Sequence, residues 1–173
     1  ICLVLQITLH TLKSHKFLIA LLGLCALVYA KLSSYPHMSW WDDPEMVFAN
    51  ADVKSFDLKA LFSSHYQGNY IPVTMMAHAL AYFLFGANDA GHHGLSLLLH
   101  LINGVLVYQL TLQLFKKEQL ALFCSAVFML HPLQVESVAW ISELKNVLSS
   151  SFYLLALLQW MKYLDHPEPK HYT

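Results

Sequence analysis

The sequence predicts an all-α protein, a polytopic bundle of transmembrane helices, and three observations lead there. Hydrophobic residues make up 57% of the chain and charged residues only 12%, with a mean hydropathy of +0.46, against about 25% charge in an ordinary soluble domain. Long apolar runs recur between shorter polar stretches, and several approach the roughly twenty residues needed to cross a bilayer. The lysines gather at alternate ends of those runs, as the positive-inside rule requires of cytoplasmic loops. About four spanning helices are expected, with interfacial helices in the first extracytoplasmic loop.

Phe17 to Ala30 is the first spanning run, preceded by Lys13, His15 and Lys16. Val28-Tyr29-Ala30 could be read as a signal-peptide cleavage site, but the further runs and the apolar stretch from Ile1 to Leu12 favour a retained anchor. Residues 31 to 72 then change character, with Pro36, Asp42, Asp43, Pro44, Asp52, Asp57, Gly68 and Pro72 set among aromatics. They form a structured loop, in which Leu58 to Phe62 is a short amphipathic piece and Gln67-Gly68-Asn69-Tyr70 a turn.

Val73 to Phe85 is apolar but covers only ~20 Å as a helix, short of a ~30 Å hydrocarbon core. It is expected to lie in the interface. Gly86 to Gly91 breaks it, and Leu95 to Phe115 is the second crossing, followed by Lys116-Lys117, a shorter run from Leu120 to Leu130, and a last one from Val147 to Leu164. With that parity Lys13, Lys16, Lys116, Lys117, Lys162 and Lys170 share the cytoplasmic side. Residues 31 to 93 and 131 to 146 then form two loops on the opposite, extracytoplasmic or lumenal side. The chain opens on Ile1 and ends soon after an apolar run, so an N-terminal fragment of a larger membrane domain is expected, with its C-terminal spans missing.

The composition excludes several classes. All ten basic residues are Lys, the net charge is −1 and no basic cluster exceeds Lys116-Lys117, so no nucleic-acid partner is expected. Cys2, Cys25 and Cys124 lie within apolar runs without ligand or disulfide spacing. The eleven histidines show no zinc-site spacing. Nucleotide-binding glycine loops and a Gly-x-Ser-x-Gly elbow are absent.

What remains is a set of polar groups at the lumenal side. Asp42 and Asp43, beside Trp40 and Trp41, could act as a general base or hold a divalent cation, or one of them could simply cap a helix beginning at Pro44. Glu136 lies in the second loop with His131, Trp140, Glu143 and Lys145, a site or a solvated hairpin with Trp140 as anchor. His93, Ser96, His100 and Asn103 stripe one face of the second span, where interhelical hydrogen bonding is expected and Gly104 permits close packing. His92 and His93 sit at its lumenal end, placed to meet a ligand or to cap the helix.

Long blocks of the sequence resemble the C-type (GT-C) membrane glycosyltransferases, most nearly the protein O-mannosyltransferase-like group that carries tetratricopeptide repeats at its C-terminus. The blocks are Trp41-Asp42-Asp43-Pro44, Gly68-Asn69-Tyr70 with Pro72-Val73-Thr74, Gly91-His92-His93, Leu98-Leu99-His100, the run from His131 to Trp140, and Lys145-Asn146-Val147-Leu148-Ser149. The resemblance implies transfer of a sugar, mannose in that group, from a polyprenyl-phosphate donor to an acceptor hydroxyl on a protein Ser or Thr or on a glycan, with inversion. It implies a multi-pass protein of the endoplasmic reticulum or of a bacterial inner membrane, with its site on the lumenal or extracytoplasmic side of the lipid bilayer. Asp42 would be the base, Asp43 would assist or help hold a cation, and Glu136 would complete the acidic cluster, leaving Asp43 and Glu136 as the metal candidates. Lys145, with His131, His92 and Glu143, would surround the donor's phosphate.

The pattern departs at two places. Glu143-Leu144-Lys145-Asn146 stands where similar proteins have Glu-Arg-Lys-Asp, and Ile71 where a His often precedes the proline. These departures suit an alternative, a noncatalytic membrane scaffold that displays a repeat domain to protein partners. A lipid-linked-sugar transporter is a third reading, with less need for the acidic pair.

Overall fold

The computed structural model describes residues 2–165, with side chains for 16–164. Lys170 and His171 lie outside the described residues, and Lys13 is described by its backbone alone. Every regular element among the described residues is helical, in keeping with backbone groups that must be satisfied within their own segment in lipid.

Helix α1 (Cys2–Tyr29) continues as a 3-10 turn, Ala30–Ser34, and a strap of extended and turn residues leads to a π-helical turn at Pro44–Phe48. Two short helices follow, α2 (Ala51–Ser55) and α3 (Leu58–Ser63). Asn50 caps α2 by accepting from the Asp52 and Val53 amides, and Asp57 caps α3 at the Ala60 amide, the role expected of such residues. Gly68, at φ 75°, makes the turn that pairs Tyr66 with Asn69. The Tyr66 hydroxyl donates to Asp52 Oδ2 (2.8 Å), and burial together with that carboxylate pushes the phenol up to about 12.

Helix α4 (Pro72–Phe85) has proline in its first turn and ends at Gly86, whose φ of 60° suits a residue without a Cβ. Its inner face, Met75 and Ala79, packs on Met46, Val47, Val53, Leu61 and Ile141, so the whole first loop condenses around it. Val73, Met76, Leu80, Phe83 and Leu84 face outward. At fourteen residues it stays far shorter than α5 (Asp89–Phe115). Helix α5 starts six residues before the apolar run suggested, because Asn88 caps it through the Ala90 amide and Asp89 favours the positive end of its dipole.

The remaining elements are α6 (Glu118–Leu130), α7 (Gln134–Ala139), a 3-10 turn at Ile141–Glu143 and α8 (Leu144–Asp165). Contacts fix their directions. Along α5, Tyr108 packs on Leu18 and Ala121, while His100, two turns earlier, meets Tyr29 and the Met129 carbonyl. Helices α1 and α6 therefore run opposite to α5. Asn103 meets Val147 and Ser151, and Leu106 meets Leu154 and Leu158, so α8 runs parallel to α5. Both polar loops thus emerge at one end of the bundle, and Lys116-Lys117 marks the other.

Among the described residues two helices are long and apolar enough to cross a membrane, Lys16–Ser34 and Asp89–Phe115. Helix α6, at thirteen residues, reaches only ~20 Å. Helix α8 has the length but is weaker in apolar character, because it carries Lys145, Asn146, a run of serines and Lys162. Length and composition thus support two of the four expected spans.

The polar stripe on α5 is buried, and its His100 and Asn103 hydrogen-bond across helices, while the side chains of His93 and Ser96 have no such partner among the described residues. Asn103 Nδ2 donates to the Val147 carbonyl (2.8 Å) and its Oδ1 accepts from Ser151 Oγ (2.7 Å). Ser125 Oγ donates to the Gly104 carbonyl (2.8 Å), an approach open only because Gly104 has no side chain. A Cβ there would overlap the Met129 side chain, which is wholly buried. Gly104→Leu should therefore destabilise the full-length protein by about 1–3 kcal/mol; thermal unfolding in detergent reads it, and an unchanged midpoint would contradict the close α5–α6 contact.

His78 on α4, outside the two long apolar helices, is 1% exposed and neither ring nitrogen has a hydrogen-bond partner among the described residues. Burial, reinforced by His92 and Lys145, lowers its pKa to about 3. An unfolded chain takes up that proton near pH 6.5 while the folded one does not, so this residue makes the fold progressively less stable from about pH 6.5 down to about pH 3. His78→Phe should flatten that part of the stability-versus-pH curve; a variant with the wild-type slope would mean that the imidazole is protonated where it sits.

Candidate functional site

The two loops at the shared end of the bundle are joined through one carboxylate. Asp43 is 1% exposed, a costly position for a charge unless donors surround it. Its Oδ1 accepts from the Ser142 amide (2.9 Å) and the Ser142 hydroxyl (2.5 Å), and its Oδ2 accepts from the Met38 amide (2.8 Å). One acid thus ties its own loop to a residue 99 positions away. Asp43 does stand at the N-cap position of the Pro44–Phe48 turn, yet its side chain caps nothing there. The helix-cap reading of the pair is corrected: the long-range donors of Ser142 have taken the carboxylate.

Asp42 lies between two residues that are both fastened to the second loop. On one side is Asp43; on the other, Trp41 meets the Trp140 ring edge-on at a centroid distance of 6.1 Å. Asp42 itself is half-buried, and its side chain makes no hydrogen bond among the described residues. Its backbone carbonyl accepts from Met46 (2.8 Å) and so starts the turn that follows. It is an uncommitted carboxylate at the seam between the loops, and the buried indole N–H of Trp140 in the second loop is likewise unpartnered among the described residues.

The other expected site residues divide into engaged and open groups. Glu136, in the first turn of α7, is exposed and makes no side-chain hydrogen bond among the described residues. His131 is exposed at the end of α6, where Nδ1 accepts from the Leu133 amide (3.2 Å). His92 is enclosed instead, with Nε2 donating to the Gly86 carbonyl (3.0 Å) and its ring among Phe48, Tyr82 and Phe85. Glu143 is buried, and its two oxygens accept from Lys145 Nζ (2.5 Å) and Asn146 Nδ2 (2.5 Å). Lys145 therefore starts from an ion pair rather than as a free cation.

A divalent cation does not fit Asp43 as arranged, because hydrogen donors face both of its oxygens. Among the described residues no three His, Cys, Asp or Glu side chains come together as a metal site. Two participants were not singled out from the sequence, Ser142 and His37. Ser142 differs from neighbouring loop serines only through its long-range partner. His37 Nδ1 pairs with Asp89 Oδ1 (2.8 Å) while its ring stacks on Phe48, which pins the strap to the start of α5.

Asp43→Ala should strand the Met38 and Ser142 donors at about 1–3 kcal/mol for each buried group. Hydrogen exchange of the Met38 and Ser142 amides should then speed up together, whereas a change at only one would mean that the carboxylate does not clasp both loops.

The chain is similar to Protein O-mannosyl-transferase TMTC1 of Mus musculus, 33% identical over 120 residues that make up 69% of this chain and 12% of that protein. It is 26% identical to Protein O-mannosyl-transferase TMTC3 of Homo sapiens over 133 residues, 70% of this chain and 14% of the relative. With Protein O-mannosyl-transferase F38B6.6 of Caenorhabditis elegans it shares 29% identity over 156 residues, 79% of this chain and 23% of the relative. The chain thus spans from 12% to 23% of the length of these curated relatives. No family model matches the chain, and no solved structure does.

Proposed function

We propose that this chain, a TMTC-like protein O-mannosyl-transferase sequence, contributes the acidic loop seam of a membrane glycosyltransferase that moves mannose from a polyprenyl-phosphate donor to a protein Ser or Thr hydroxyl with inversion. The observation that carries the reading is the pair of neighbours Asp42 and Asp43, one uncommitted and one consumed in holding the two loops together. In this reading four helices, α1, α5, α6 and α8, cross the membrane. Both loops then lie on the lumenal side.

Asp42 takes the acceptor hydroxyl's proton as that oxygen attacks the anomeric carbon, and the donor's phosphate leaves from the opposite face of the sugar. The base needs a free carboxylate held still, and the two tethers beside it supply the stillness: the Asp43–Ser142 bonds and the Trp41–Trp140 contact. Asp43 is a positioning residue. Glu136, exposed at the head of α7, adds a second negative charge at the same end of the bundle. Lys145 offsets charge on the departing phosphate once it exchanges Glu143 for that partner.

In the full-length protein Asp42→Asn should lower transfer from polyprenyl-phosphate mannose to a Ser/Thr peptide by about 10²- to 10⁴-fold, the usual contribution of a general base. Expression and thermal stability should stay near wild type, because the side chain holds nothing. Undiminished transfer would remove Asp42 from the mechanism, and an absence of transfer by the wild-type protein with any acceptor would favour the scaffold reading.

A further inference from the structure

Behind the strap that joins α1 to the acidic pair lies a cavity of about 270 Å3. Its wall is chiefly apolar, with Leu32, Met38, Trp40 and Ala139 from both loops, and His93 is the polar group still without a partner. His37 and Asp43 also border it, but Asp89, Ser142 and Met38 already engage them. His93 is 4% exposed, and the Tyr35 main chain comes near its ring without completing a hydrogen bond to either nitrogen. A buried imidazole at the edge of an apolar chamber calls for an oxygen that arrives with the ligand.

We propose that this cavity seats a short length of hydrocarbon chain from a membrane lipid, with the lipid's first oxygen hydrogen-bonded to His93. The position of the cavity selects that ligand. Leu32 belongs to the end of the first long apolar helix and His93 to the start of the second, so the chamber opens where two spans leave the hydrocarbon layer. Trp40 and Tyr35, 80% and 47% exposed, stand at the same level, where aromatic residues mark a membrane interface. A lipid reaches such a mouth by lateral diffusion, while a water-soluble ligand would meet an apolar wall. The volume is just below the ~300–1,000 Å3 of small-molecule pockets, so it takes a chain segment and not a whole lipid.

The proposal rests on the membrane placement given above and not on the transfer reaction. The test uses the full-length protein in lipid nanodiscs with two photoreactive probes: a polyprenyl phosphate with a diazirine in its first isoprene units, and a phosphatidylcholine with a diazirine near the acyl carbonyl. At least one probe should label the segment from Leu32 to Trp40, His93 or Ala139. Labelling by the polyprenyl probe identifies a carrier lipid, and labelling by the acyl probe a bilayer phospholipid. His93→Phe should weaken half-saturation of that labelling by about fivefold, the effect of one hydrogen bond.

Ala139→Phe and, from the strap wall, Met38→Trp should each remove the label by filling the chamber, so that the failure of one variant to fold still leaves the other. Asp42→Asn should label like wild type, which separates a wrong cavity assignment from a wrong base. Adducts confined to outward-facing residues such as Leu24 and Leu27 would overturn the proposal. So would full labelling in a folded filling variant.

Discussion

The Asp43 carboxylate is the constraint from which the rest of the loop architecture follows. A charge that is 1% exposed must collect donors or forfeit several kcal/mol, and here the donors come from the strap and from the second loop. Satisfying one oxygen with two groups of Ser142 aligns α7 and the start of α8 beneath the first loop. Satisfying the other with the Met38 amide bends the strap back over the end of α1. Asp42 is then positioned without being used. That division of labour between neighbouring acids suits the proposed role of Asp42 as base, since a group that moves a proton cannot also be the group that holds the walls.

The bundle beneath supplies a floor rigid enough for that seam. Burying Asn103, Ser125 and Ser151 between helices is tolerable only because each finds a partner across the contact, and such bonds contribute on the order of 1 kcal/mol apiece in a membrane setting. Their larger effect is on register. Asn103 can reach the Val147 carbonyl and Ser151 only at one axial offset of α8, and the Ser125–Gly104 contact does the same for α6. The ends of α6 and α8 are therefore delivered to the loop side at fixed heights, where the α7 turn must connect them.

Much of this was legible from residue order alone, and the remainder was not for identifiable reasons. Period and composition place α1, α5, α6 and α8, and the stripe of His93, Ser96, His100 and Asn103 marks the buried face of α5 correctly. Boundaries moved where capping outweighed hydropathy, as at Asn88 and Asp89, which start α5 well before its apolar run. Only two of the four expected spans meet the length and apolarity of a crossing among the described residues, because α6 is short and α8 more polar. For the acidic pair, local sequence favours a cap before Pro44, and only a partner 99 residues away diverts Asp43 from it. Likewise nothing in the order of residues tells an open histidine from an enclosed one: His131 faces water while His92 is walled by three aromatic rings.

The departures at Leu144 and Asn146 take on a physical meaning in this setting. Leu144 is buried in the cluster of Cys25, Met129, Val138 and Val147, where an arginine would need a partner that the cluster does not contain. Asn146 donates its amide to Glu143, whereas an aspartate would repel it. The two changes are also matched in charge: Glu-Arg-Lys-Asp and Glu-Leu-Lys-Asn each sum to zero. What changes is the division of the Lys145 charge. With no second cation beside it, Lys145 alone faces the buried Glu143 carboxylate. The proposed role of Lys145 therefore asks it to exchange a buried carboxylate for another partner, whereas the proposed role of Asp42 asks for no existing bond to break.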